Sequence, residues 1–193
     1  MNNAIDIRQT MLSTDRLILR PWQAEDLDDF YAYASVDGVG QMAGWLPHTS
    51  KEISRERLDR WMETGDVFAI EHRASGCVIG SIGIHRSFLE TVPGWEQRPV
   101  NEIGYVLSRD YWGQGLMPEA VRRVLSWLFS EQNRAAVTVA HYAFNNRSRR
   151  VIEKCGFVYY DTVLHTAKTG ETHETLRYVI KREAFAENGM AAN

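Results

Sequence analysis

Trp112-Gly113-Gln114-Gly115-Leu116-Met117, followed at once by Pro118, is the segment best able to do chemistry through its main chain. Glycines on either side of one residue make a tight turn, and Pro118 suits a first helical position, where its missing N–H would be unpaired anyway. A turn that opens a helix presents N–H groups outward with the positive end of the helix dipole behind them. That is a place for a phosphate-bearing ligand. Two familiar phosphate loops do not fit. A nucleotide-triphosphate loop needs Gly-Lys-Ser/Thr at its end, and Gly115 is followed by Leu116. A dinucleotide fingerprint needs a third glycine where Pro118 stands and an acid closing the next strand, which here ends in His141-Tyr142. A GxG pair is also an ordinary tight turn, so its meaning depends on the elements around it.

Those elements follow from hydrophobic periodicity. Strands are predicted over Arg16–Trp22, Phe68–Glu71, Val78–His85, Val100–Leu107 and Ala136–His141, with a closing hairpin of Val158–Thr162 and Thr172–Ile180 turning at Lys168-Thr169-Gly170. Helices are predicted over Ala24–Ser35, Lys51–Glu63 (capped by Ser50), Pro118–Ser130 and Ser148–Cys155 (ended by Gly156). The glycine turn therefore links a strand to an amphipathic helix. Ser87–Pro99, aromatic and proline-bearing, reads as an exposed loop or partner surface rather than core. Residues 1–13 read as a flexible leader, 14–183 as a single domain and 184–193 as a tail whose last six residues, NGMAAN, should fray. Strands with interspersed helices indicate an α/β or α+β fold.

The bulk numbers agree with one domain: 193 residues, 44% hydrophobic, formal net charge −3. Mixed charge without a basic stripe argues against a nucleic-acid partner, and no stretch approaches a membrane span. Cys77 and Cys155 read as reduced structural thiols of a cytoplasmic protein, and no signal peptide or metal-ligand pattern is evident.

Glu102-Ile103-Gly104-Tyr105 on the strand, Tyr111 to Met117 at the turn, Glu119-Ala120 in the helix, and Asn145-x-x-Ser148 with Lys154-x-Gly156-Phe157 later together resemble the acyl-CoA-binding core of the GNAT superfamily of N-acetyltransferases. With the opening Thr14-Asp15-Arg16-Leu17-Ile18-Leu19-Arg20-Pro21, the resemblance narrows to the branch holding the bacterial ribosomal-protein N-terminal (alanine/serine) acetyltransferases and covers roughly Thr14 to Lys181. It implies a mixed, mostly antiparallel central sheet of six to seven strands, a splayed central strand pair and about four flanking helices. Two departures stand out. The loop slots usually filled by Gln or Arg and by Gly or Ala hold Trp112 and Met117, and the helix slot that often carries a Tyr general acid holds Ile152.

The resemblance further implies acetyl-CoA as cofactor. Its pyrophosphate would meet the amides of Gly113, Gln114, Gly115, Leu116 and Met117, beside Trp112. Its pantetheine arm would pair with the backbone of Tyr105, Val106 and Leu107, and Asn145 and Ser148 would flank the sulfur end. A backbone N–H near Leu107 would polarise the thioester carbonyl. Arg147, Arg149 and Arg150 either meet a further phosphate or form a solvated helix face. Acylation needs a neutral amine, hence a base: Glu102 first, His85 second, with His165 and His173 weaker. Each has a plainer role as an outward or packing residue. Ser148 is the acid candidate for the leaving thiolate, or else it caps its own helix. Trp45, Tyr31 and Tyr33 either line an acceptor site or pack in the core. The acceptor is an amine: a peptide N-terminus, a polyamine, an amino sugar or an amino acid. Exposed edges and the aromatic insertion point to a homodimer. A non-catalytic acyl-CoA-binding regulatory module on the same fold is the alternative.

Overall fold

A computed structural model describes residues 4–167 and 169–187. Its strands are β1 (Leu12–Ser13), β2 (Leu17–Pro21), β3 (Val67–His72), β4 (Val78–His85), β5 (Val100–Leu107), β6 (Ala136–Tyr142), β7 (Val158–Thr166) and β8 (Thr172–Lys181). Its helices are α1 (Leu27–Ala34), α2 (Lys51–Thr64), α3 (Leu116–Ser130), α4 (Asn146–Lys154) and α5 (Arg182–Glu187). The eight strands follow the order β1-β2-β3-β4-β5-β6-β8-β7. β5 and β6 pair in parallel, and the ladders β1–β2, β2–β3, β3–β4, β6–β8 and β7–β8 are antiparallel. The mixed, mostly antiparallel sheet expected from sequence is present, with eight strands rather than six or seven and five helices rather than four.

The described chain divides into two compact units. The first comprises residues 5–83 and 105–120. Its core gathers Trp22, Phe30, Tyr33, Leu58, Val67, Ala69 and Val78, with Trp45, Trp61 and Trp112 packed against them. The Phe30 ring packs at a tilt, 5.1 Å from Trp22 and 4.9 Å from Trp61. Burying each such ring is worth on the order of 2–3 kcal/mol, which is what holds α1 and α2 to the sheet. Beneath this core Arg20 donates to both carboxylate oxygens of Asp26 at 2.8 Å and to Glu71 at 2.7 Å, so a buried cation is fully paired. At Gly80 a Cβ would lie 2.4 Å from the Val106 carbonyl oxygen, so only glycine lets β4 approach β5 this closely.

The second unit comprises residue 4, residues 84–104 and those from 121 on. Leu89, Val100 and Ala136 form one of its core clusters, with Phe88, Val92, Trp95 and Val179 against it. The parallel ladder of β5 and β6 takes in Val100↔Ala136, Asn101↔Val137 and Glu102↔Thr138.

Several expectations need correction. Residues 1–13 are not a loose leader over their described part: Ile5, Ile7 and Leu12 are buried, and Leu12–Ser13 forms β1. The Ser87–Pro99 insertion is not wholly exposed, because Ser87 and Leu89 are buried. α3 begins at Leu116, so Pro118 occupies its third position, still among the first-turn residues whose N–H groups have no intrahelical partner. Ala184 to Glu187, read as the start of the tail, belong to the helix Arg182–Glu187, with Phe185 packed 5.1 Å from Phe129. Lys168 of the hairpin turn, Met1 to Asn3 of the leader and the last six residues of the tail lie outside the described residues.

Candidate active site

In the first unit, β5 ends at Leu107 and the chain turns through Arg109–Tyr111 into the glycine loop. Gly113 and Gly115 have φ of 79° and 77°, the left-handed region that side chains with a Cβ resist. Gly113, Gln114 and Gly115 are exposed. No hydrogen bond from their amides to the protein is seen among the described residues. The amides of Leu116 and Met117 open α3, whose first i→i−4 bond runs from Glu119 to the Gly115 carbonyl. Five successive donors thus gather at the positive end of a 15-residue helix.

Side chains hold this turn from outside. The Trp112 indole N–H donates to the Leu107 carbonyl at 2.9 Å and its ring packs on the aromatic core. This departure from the usual loop residue therefore has a structural use: it pins the turn to the end of β5. Arg16 donates to the Gln114 carbonyl at 3.0 Å and to Glu119 at 2.7 Å. Thr14 donates to Glu119 as well. Burial works against the charged Glu119, but these donors outweigh it and hold its carboxyl below the usual range.

In the second unit Glu102 is half-buried on β5, and the Thr138 hydroxyl donates to its Oε2 at 3.2 Å. Burial pushes the Glu102 carboxyl up; the Thr138 hydroxyl and the Arg177 charge oppose this without cancelling it. Arg177 itself is held by Asp161, with Nε to Oδ1 at 2.6 Å, and lies 4.0 Å over the Phe88 ring. His85 is exposed at the end of β4, and its ring lies 3.6 Å from where a Cβ on Gly104 would stand. Residues 102 and 104 point to the same face of a strand, so His85 lies over the face that carries Glu102.

Asn145, not Ser148, caps α4: its side-chain oxygen accepts the Ser148 amide at 3.1 Å, and both residues are buried. Ile152 is buried in the core, so that position holds a packing residue where a phenol would serve as acid. Arg149 pairs with Glu153 at 2.8 Å along an exposed face of α4. His165 and His173 sit opposite each other across β7 and β8. Tyr33 is core, and burial raises its hydroxyl pKa. Trp45 packs on the same core, covering Gly40. Neither supplies an open acceptor wall. Tyr31 is half-buried.

Sequence reading missed Thr138, Ser87 and Arg177. The register that sets Thr138 beside Glu102 is tertiary. Ser87 left a local trace, a serine opening a short turn whose hydroxyl accepts the Leu89 amide at 3.1 Å. Neither cysteine is in a disulfide, and burial pushes the Cys155 thiol up to about 12, which makes it a poor nucleophile. Among the described residues no cluster of three or more His, Cys, Asp or Glu could hold a metal, and no helix is long and apolar enough to cross a membrane.

The sequence model of the family described as "Acetyltransferase (GNAT) domain" matches residues 16–158. A Bacillus subtilis protein, "Uncharacterized N-acetyltransferase YoaA", is 28% identical over 152 residues, covering 76% of this chain and 82% of that protein. The ribosomal-protein-S5-alanine acetyltransferase from Vibrio fischeri shares the fold with a TM-score of 0.70 at 20% identity, covering 90% of this chain and 97% of that one. The spermidine N-acetyltransferase from Vibrio cholerae, solved with CoA and spermine, does so with a TM-score of 0.72 at 16% identity, covering 90% and 99%.

Proposed function

Because the chain belongs to the GNAT acetyltransferase family, we propose that it transfers an acetyl group from acetyl-CoA to a primary amine by direct attack in a ternary complex. The carrying observation is the exposed turn Gly113–Gly115, whose amides are turned to solvent by two left-handed glycines at the head of α3. We assign the pyrophosphate to the amides of Gly113 through Met117. The pantetheine arm goes to the backbone of Tyr105, Val106 and Leu107, with Asn145 and Ser148 at its sulfur end. The parallel ladder of β5 and β6 takes in Val100 to Glu102 at the start of β5, ahead of the stretch assigned to the pantetheine arm. One N-acetyltransferase domain over residues 14–183 carries the activity.

Acetyl-CoA supplies an activated acyl carbon. The chain's own residues must then neutralise the amine and hold developing charge. Glu102 takes the ammonium proton: a half-buried carboxylate with a raised pKa is a better base than an exposed one. His85, over the same face, is the second candidate. The Leu107 amide steadies the carbonyl oxygen, and the Ser148 hydroxyl serves the leaving thiolate. The acceptor is a protein N-terminus or a small-molecule amine; the two Vibrio neighbours are named for an alanine of a ribosomal protein and for spermidine. A cytoplasmic setting suits two cysteines that form no disulfide. A homodimer is included because β7 is an edge strand that exposes Val158, Tyr159 and Leu164. No nucleic-acid partner is included, given the net charge of −3.

Incubation with acetyl-CoA and a panel of amines, following free thiol, tests the reading. Amine-dependent thiol release is expected. The buried Ile152 favours one other reading, a non-catalytic acyl-CoA-binding module. Saturable cofactor binding with no turnover on any amine would select it.

A further inference from the structure

The Ser87–Pro99 insertion does something the catalytic assignment leaves unexplained. Its first residue, Ser87, is buried, and its hydroxyl lies 2.9 Å from the hydroxyl of Thr138, which is fully buried. Thr138 in turn lies 3.2 Å from Glu102 Oε2 and 3.5 Å from the Asn101 carbonyl. The Leu89 amide donates to Ser87 Oγ at 3.1 Å.

Each hydroxyl has one proton to give. An ionised carboxylate only accepts, so Thr138 must donate to Glu102 for that bond to exist. The Thr138 oxygen must then accept from Ser87. Ser87 has spent its proton and accepts from Leu89. The Asn101 carbonyl at 3.5 Å also only accepts and competes for the one Thr138 proton, and Glu102 Oε2 at 3.2 Å is the nearer acceptor. The donor order that reaches the carboxylate is Leu89 amide to Ser87, Ser87 to Thr138, Thr138 to Glu102. All four residues lie in the same unit.

We infer that Ser87 and Thr138 are positioning residues, a one-way pair of hydroxyls, anchored on the Leu89 amide, that orients Glu102 and holds it ionised. This rests on the reading of Glu102 as base. The insertion's turn, fixed by Leu89 in the core, is then the fixture on which the carboxylate is aimed. Other groups face Glu102 too: Arg177 from β8 acts on it by charge, with Asp161 of β7 bound to that guanidinium, and His85 lies over the same face. The hydroxyl pair differs from these in acting by directed hydrogen bonds. Protonating Glu102 removes its need for a donor, so the chain favours the ionised form.

The test is a carbon-13 NMR titration of the Glu102 carboxyl in the full-length protein, alongside the kcat pH profile. Thr138→Val keeps the shape and removes the donor. The Glu102 titration and the acidic limb of kcat are expected to move together to higher pH by about one unit, the size of one hydrogen bond to a charged group. Ser87→Ala is expected to move both in the same direction by less. Thr138→Ser restores the wild-type titration. A Thr138→Val protein whose Glu102 titrates as in wild type overturns the inference, as does a Thr138→Ser protein that behaves like Thr138→Val. Should Thr138→Val not fold, the Ser87→Ala and Thr138→Ser titrations decide by the same criteria. Glu102→Gln separates the two levels: an acidic limb that survives it removes Glu102 as base. A limb lost in Glu102→Gln but unmoved in Thr138→Val removes only the hydroxyl chain.

Discussion

The glycine turn and the surroundings of Glu102 are built on opposite plans. At the turn the working groups are backbone amides, exposed and fixed by left-handed glycines, with Trp112 and Arg16 bracing from outside. Around Glu102 the working group is a side chain, half-buried, whose neighbours Thr138, Ser87 and Arg177 come from distant stretches of sequence. A backbone site tolerates changes of side chain and fails when φ changes. A side-chain site tolerates small backbone shifts and fails when one hydrogen-bonding group is lost. The unusual Trp112 fits the first plan, since it replaces a common loop residue while keeping the amides in place.

The largest expected effect is on the side-chain site. Glu102→Gln is expected to lower kcat by about a hundredfold or more between the Glu102 limb and the amine pKa, where the wild-type carboxylate is ionised and the amine still carries its proton. Burial lifts the Glu102 pKa, so the base is ionised and active only above a limb that lies higher than for an ordinary glutamate. That limb disappears in the variant. The ionisation of the amine itself, near pH 8 for an α-amine, remains. Equal loss at every pH would show that Glu102 is structural, and the contrast between the two plans would fail.

Next comes the backbone site. Gly115→Val places a β-branched residue at φ 77°, although the space beside it is open, the nearest atom being Arg16 Nη2 at 3.7 Å. The conformational cost of about 1–3 kcal/mol should appear as a roughly tenfold to hundredfold loss in CoA affinity by calorimetry. Unchanged affinity would mean that the turn's shape is not what holds the ligand. Arg16→Ala removes the brace on the Gln114 carbonyl and the partly exposed pair with Glu119. Such a pair is worth about 0.2–1 kcal/mol, so CoA affinity should fall by no more than severalfold. A loss as large as that of Gly115→Val would show that Arg16 touches the ligand.

The two plans also differ in how plainly they show in the sequence. The glycine turn was readable because it is local: GQG before a periodic helix carries its own geometry. β2, β4 and β5 and the buried stripe of α3, including Val121, Val124, Leu125 and Leu128, were readable from period alone. β1 was not, because Leu12–Ser13 is a two-residue strand that exists through pairing with Leu19 and Ile18. α5 was not, because REAFAE is polar and short and is fixed by Phe185 meeting Phe129. Thr138 is an unremarked residue in AVTVAHY until the parallel register sets it beside Glu102. The capping role of Asn145 is local, yet sequence reading offers it only to Ser148, as the alternative to an acid role, because the same short motif carries two hydrogen-bonding side chains.

The central claim is that main-chain donors from Gly113 to Met117 take the diphosphate of CoA. An amide nitrogen–proton NMR titration of the full-length protein with CoA tests it most directly. The account predicts large, saturable shifts of the Gly113, Gln114, Gly115, Leu116 and Met117 amides, sharing one dissociation constant. Saturation with those five resonances unmoved would contradict it.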